Sequence, residues 1–210
     1  MDELKNYDNK LIYIIIFNIV LTLWISNPSS LIENNLIIST FLTVPILYLP
    51  TYLINNLIPS EWKFKLIYPD NEKHRFAYGI FRKLRNGDIQ YNKKLIDLEL
   101  IINTYGLPKT KSEEDNLWYS IYEEHRYDNK ISQQHREFLF CRDFTTIILI
   151  MTILFPIILS KIGLNADIYI NIGLLEFWIF FMLSRYKNKK MVLSVLQEET
   201  KSLKDKIYKD

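Results

Sequence analysis

Four stretches of the chain carry almost no charge: Leu11–Ser26, Leu36–Ile58, Phe144–Leu164 and Ile168–Ser184. A helix that crosses a bilayer needs about 20 mainly apolar residues, with roughly 17 to 25 the common range. The first and last stretches are short, so they are expected to draw on flanking residues or to thin the bilayer locally. Tyr13, Trp24, Tyr169 and Tyr186 stand near the ends of the stretches, where amphipathic rings favour the membrane interface. Pro45, Pro50 and Pro156 remove intrahelical hydrogen bonds and predict kinks in the second and third stretches. The pattern predicts an all-α membrane protein with four transmembrane helices. Residues 1–59 form a first hairpin, 60–143 a helical insert, 144–185 a second hairpin and 186–210 a C-terminal helix.

Between the apolar stretches the periodicity is helical. In EKHRFAYGIFRKLRNG, Phe76, Ile80, Phe81 and Leu84 share a stripe that ends at Asn86-Gly87. In NKKLIDLELIINTYGLP, Leu95, Leu98, Ile101, Ile102 and Tyr105 repeat it, with Gly106 as cap and Pro108 beyond. SEEDNLWYSIYEEH offers Ser112 as N-cap, Asp115 three residues on, and Leu117, Trp118, Ile121 and Tyr122 as its apolar face. A fourth helix, about Lys130 to Asp143, presents Ile131, Phe138 and Leu139. No Pro or Gly separates it from the third apolar stretch, so one helix is expected to run through both. The tail is expected to continue the fourth span as a helix. Its seam of Val192, Leu196, Leu203 and Ile207, broken by Glu199, either packs on the insert or joins a second copy. The second alternative makes those four residues the candidate oligomerisation seam.

Charge decides sidedness. The 26 Lys and Arg residues and 24 acids leave a net +2, and mean hydropathy is −0.03. Those averages suit a soluble protein, but Lys161 is the single basic residue in the two segments expected outside. The positive-inside rule then places both termini and the insert in the cytoplasm. The head, MDELKNYDNK, is acidic and no small-x-small cleavage site follows the first apolar run, so that run is expected to be retained. The composition, heavy in Ile, Asn and Lys, suggests an AT-rich bacterial genome, and hence the bacterial inner membrane. The alternative, four stretches buried in a soluble helical core, does not account for the sorted charges.

Candidate chemistry is sparse. Cys141 is the only cysteine, which excludes an internal disulfide and a multi-thiolate metal site. His74, His125 and His135 stand in no His-Glu-x-x-His or Glu-x-x-His pattern, and no phosphate-binding loop or Gly-x-Ser-x-Gly is present. No catalytic, cofactor-binding or metal-ligating residue is expected, and no cofactor. Direct nucleic-acid binding is not expected at a near-neutral net charge. The basic stretch KHRFAYGIFRKLR reads as a solvated or headgroup-facing helix. Arg142 and Asp143 fall where a helix enters the bilayer, with Arg142 expected to snorkel to phosphates or to pair with Glu137 or Asp143 against the insert. Together with His135 they make a candidate coupling joint. Glu176, Asn18 and Asn171 lie inside apolar stretches. They are candidate pore or gating residues, against the alternative of hydrogen bonds between packed helices.

The blocks DNLWYSIYEEH and HREFLFCRDF, set before a membrane helix, resemble small polytopic membrane effector or accessory proteins of bacterial CRISPR and anti-phage defence systems. The resemblance covers residues 116–144 and the general architecture, and it transfers no functional residue. It implies a non-enzymatic effector or accessory protein that answers a cytoplasmic trigger by disturbing the lipid bilayer. The leading expectation is a homo-oligomer whose insert senses a cytoplasmic protein partner or small ligand. The alternatives are a passive anchor for a cytoplasmic partner and an enzyme built on His125 and His135.

Overall fold

Helical periodicity in the insert becomes helix in the computed structural model, which describes residues 7–26, 49–69, 77–161 and 167–208. The elements are α1 (Asp8–Ser26), a helical stretch over 49–57, α2 (Ser60–Ile67), α3 (Ile80–Asn86), α4 (Leu98–Tyr105), α5 (Lys111–His125), α6 (Asn129–Lys161) and α7 (Asp167–Ile207). No strand occurs among the described residues. Two units form: Met1–Ile67 with Leu139–Ser184, and Tyr68–Phe138 with Arg185–Asp210. The boundary falls inside α6 and inside α7 without a break in either helix. The fourth insert helix and the third apolar stretch are therefore one helix, and the tail continues the helix of the fourth apolar stretch.

Among the described residues α6 is the one helix long and apolar enough to cross a membrane; the apolar helix at Asn9–Leu21 is shorter. Most of the second expected span, including Pro45, lies outside the described residues, as do Phe76 and His74. Pro156 sits inside α6 without ending it.

The second unit is built around Trp118, which stacks on Tyr122 at 5.4 Å and donates from Nε1 to the Val192 carbonyl at 3.2 Å. Phe81, Ile101, Ile121, Ile131, Met191 and Val195 complete its core. Val192, Leu196 and Leu203 belong to this core, while Ile207 is 59% exposed. Three of the four tail-seam residues thus pack on the chain's own insert.

Helix ends follow local chemistry. Gly87 and Gly106 close α3 and α4 at φ of 80° and 87°, a region where a Cβ is strained. Asp97 caps α4 through Leu100 N–H at 3.1 Å. The cap of α5 is Thr110 rather than Ser112: its hydroxyl accepts from Glu113 N–H at 3.1 Å, and the Glu113 carboxylate accepts from Lys109 N–H at 2.8 Å. Asp115, expected as the capping-box partner of Ser112, is buried instead, and so is Glu114. α3 follows Gly79, which has no side chain to cap it. Asp115 accepts from Ala77 N–H at 3.0 Å and Glu114 from Arg82 N–H at 3.0 Å instead. Leu95 precedes α4 and is exposed, and its neighbour Ile96 takes the core position.

Two ion pairs couple α6 to α7 within this unit: Glu137 with Lys187 at 2.7 Å and Glu198 with Lys130 at 2.9 Å. Each hydrogen bond holds its carboxyl below the ordinary range. A carboxyl with a lowered folded pKa contributes stability that is present above its unfolded value, about 4.3, and is lost as pH falls through the folded one. Both pairs are partly solvated, so about 1 kcal/mol each is the ceiling. Thermal unfolding of the full chain in detergent is expected to shift down modestly from pH 6 to about pH 3. Lys187→Met should flatten that drop.

In the first unit Ile15 and Ile19 of α1, Phe64 and Ile67 of α2, and Ile147, Met151, Phe155 and Leu159 of α6 are buried. Tyr169, expected at the interface, is buried and stacks on Phe155 at 5.5 Å. Gly173 of α7 presses against Thr152 of α6: a Cβ there would collide with Thr152 Oγ1 and stand 3.2 Å from its Cβ and Cγ2. Small residues permit such close helix approach. Gly173→Val is expected to cost about 1–3 kcal/mol by overpacking. Thermal melts of the single and double variants should show less loss in a Thr152→Ala background.

Candidate functional site

Asp143 marks the point in α6 where charge gives way to the apolar run. Its Oδ1 accepts from Arg142 Nε at 2.9 Å and Nη2 at 2.8 Å, and lies 3.5 Å from Lys63 Nζ. Its Oδ2 accepts from the Tyr7 hydroxyl at 2.9 Å. Arg142 Nη1 donates to Ser60 Oγ at 2.7 Å. Three segments meet here: the turn before α1, the start of α2, and α6. Lys63, Arg142 and Asp143 are all buried. Of the two expectations for Arg142, the pairing with Asp143 is the one observed: the residue is 3% exposed and turned inward to Asp143 and Ser60 rather than outward to headgroups. The physical reason is that a carboxylate and a hydroxyl within reach give the guanidinium directed hydrogen bonds. Arg142 and Asp143 lie in the first unit and His135 in the second. His135 is buried with its Nδ1 2.7 Å from the Tyr122 hydroxyl, whose pKa burial pushes up to about 12.

Around that cluster α1 and the apolar part of α6 carry apolar side chains on their outward as well as their buried faces. Tyr13, Phe17 and Val20 of α1 point outward at spacings of four and three, opposite buried Leu11, Ile15 and Ile19. Leu49, Leu53 and Leu57 repeat at four residues, opposite buried Thr51 and Asn55. Ile153 and Ile157 of α6, and Leu175, Trp178, Ile179 and Met182 of α7, are exposed as well. A helix apolar all round belongs in a large core or in a bilayer. The candidate gating residues occupy three environments: Asn18 is buried, Glu176 is half-buried and Asn171 is exposed.

A second polar cluster lies within the other unit. Glu199, which interrupts the tail seam, is 0% exposed. It accepts from the Tyr105 hydroxyl at 2.7 Å and meets His125 Nε2 at 2.7 Å, while His125 Nδ1 lies 3.3 Å from Asp128. Burial and Glu199 push the Tyr105 phenol up, so it stays a neutral donor. The open cleft beside it, about 360 Å³, is lined by His125, Asp128, Glu198, Lys201, Ser202, Asp205 and Lys206. Both His125 nitrogens face carboxylates, which leaves neither directed at a substrate in this arrangement. Among the described residues no set of three His, Cys, Asp or Glu side chains is placed to hold a metal ion. Sequence spacing did not reveal Glu199 as a partner of His125, since 74 residues separate them. The one available signal was a charge inside an apolar seam. No protein-family model, curated protein or solved structure matches the chain.

Proposed function

We propose that the chain is a four-span protein of the bacterial inner membrane with both termini and the second unit in the cytoplasm. It acts as a non-enzymatic, oligomeric effector that couples a cytoplasmic signal to membrane permeability, in the setting of anti-phage or CRISPR-linked defence. The observation that carries the membrane part is the outward apolar face on every described helix long enough to show one in the first unit, from Phe17 and Leu53 to Ile157 and Trp178. Exposed apolar surface on that scale fits lipid and does not fit water. The coupling part is supported by α6 and α7, each of which belongs to both units without interruption. A partner or ligand that shifts the second unit then acts on helices that also make up the first. Glu176 and Asn18 are the polar groups assigned to the permeation path, where an intramembrane polar side chain has a functional use.

Membrane-potential dye in expressing cells tests this reading. On triggering, the parent is expected to depolarise cells, and Glu176→Gln or Asn18→Leu to change that response at equal expression. Full depolarisation by both variants would remove them from the path. A chain that still works after its spans are exchanged for unrelated ones is a passive anchor instead.

A further inference from the structure

We propose that α2 lies in the headgroup layer of the bilayer and binds phospholipid through Trp62 and Lys65, a placement that rests on the membrane reading above. At 3.6 residues per turn, it presents a buried and an exposed side. Lys63, Phe64 and Ile67 are buried, whereas Glu61, Trp62 and Lys65 are exposed. The inner face is fastened at both chemistries available to it. Ser60 receives Arg142 Nη1 at 2.7 Å, Lys63 meets Asp143 at 3.5 Å, and Phe64 and Ile67 join the apolar packing.

The outer face does not suit water. Trp62 is 67% exposed, although an indole is a large apolar body with one polar N–H. Lys65 Nζ stands 5.7 Å from its ring centroid, so the same patch offers a cation and a hydrogen-bond donor beside an apolar plate. That combination matches the level where phosphates sit above acyl chains. Continuity with the apolar face selects the occupant. Leu57, 80% exposed, ends the row of Leu49 and Leu53. The chain then turns at Pro59, whose carbonyl accepts from Trp62 N–H at 3.0 Å and Lys63 N–H at 3.3 Å. Lipid-facing leucines thus give way within five residues to Trp62, and within eight to Lys65. The occupant is the phospholipid headgroup, with its phosphate toward Lys65 and its glycerol level against the indole.

Depth-dependent quenching tests the placement. The full chain carrying Glu61→Cys, labelled with an environment-sensitive fluorophore, is reconstituted in phosphatidylcholine–phosphatidylglycerol vesicles; Cys141 is buried and stays unlabelled. Lipids bearing a nitroxide at the headgroup should quench position 61 at least twofold more than lipids bearing it deep in the acyl chain. Ile179→Cys, on the apolar face, should show the reverse order. Adding Trp62→Ala and Lys65→Ala should reduce headgroup quenching at position 61 at least twofold. If position 61 is quenched by neither lipid while Ile179→Cys responds to the deep nitroxide, the α2 proposal fails and the membrane reading stands. If Ile179→Cys is also silent, both fall. Quenching unchanged by the double substitution would overturn the assignment to Trp62 and Lys65.

Discussion

Asp143→Ala is expected to be the most damaging single substitution in the first unit. It leaves Arg142 and Lys63, both buried, without the carboxylate that accepts from one and faces the other at 3.5 Å. It also removes the acceptor of the Tyr7 hydroxyl's hydrogen bond at 2.9 Å. Removing one partner of a buried ion pair costs about 3–5 kcal/mol, because the remaining charge stays desolvated. The change should appear as a large fall in the detergent melting temperature and in the amount of protein recovered from membranes. Asp143→Asn keeps the shape and an acceptor oxygen, so it should lose less than alanine but stay well below the parent. Replacing Arg142 and Asp143 together by Met and Leu should recover part of the loss, since a buried pair exchanged for apolar groups is often tolerated. A melting temperature for Asp143→Ala equal to the parent's would mean the cluster does not hold α1, α2 and α6 together.

Trp118→Ala carries the second large expectation, in the other unit. The side chain is almost completely buried, stacks on Tyr122 and spends its N–H on the Val192 carbonyl. Truncating a buried aromatic to alanine costs about 3–5 kcal/mol. Trp118→Phe keeps much of the apolar contact and loses the hydrogen bond, worth about 0.5–1.5 kcal/mol, plus a smaller packing term. Thermal unfolding of the full chain, followed by near-ultraviolet circular dichroism, should rank the three proteins parent, Phe, Ala. A Phe variant as unstable as the Ala variant would show that the Val192 contact outweighs the packing.

The residues that were legible in sequence are those whose roles are local. Gly87 and Gly106 end helices because of backbone conformation, and the seamless runs into α6 and through α7 follow from the lack of Pro or Gly at the junctions. The apolar stripe of α5 placed Trp118, Ile121 and Tyr122 in the core. Residues whose roles depend on distant partners were not legible. Sequence offers Arg142 either headgroups or its neighbours Glu137 and Asp143, but not its bond at 2.7 Å to Ser60, 82 positions away. Asp115 reads locally as a capping-box partner of Ser112, but it accepts from Ala77 N–H, 38 positions away, and Glu114 accepts from Arg82 N–H, 32 positions away. The tail seam could not choose between self-association and the insert, because a heptad-like row records only that something apolar covers it. Trp62 drew no attention in the sequence, since its exposure is decided by which side of α2 Phe64 and Ile67 bury.

Sidedness of labelling tests the central claim most directly. Tyr127 is an exposed residue of the second unit, and Asn165 stands in the sequence segment that the charge pattern puts outside. In intact spheroplasts a membrane-impermeant maleimide should label Asn165→Cys and leave Tyr127→Cys unlabelled until the membrane is opened. Labelling of Tyr127→Cys in intact spheroplasts, or recovery of the protein in the soluble fraction with both positions equally reactive, would contradict the account.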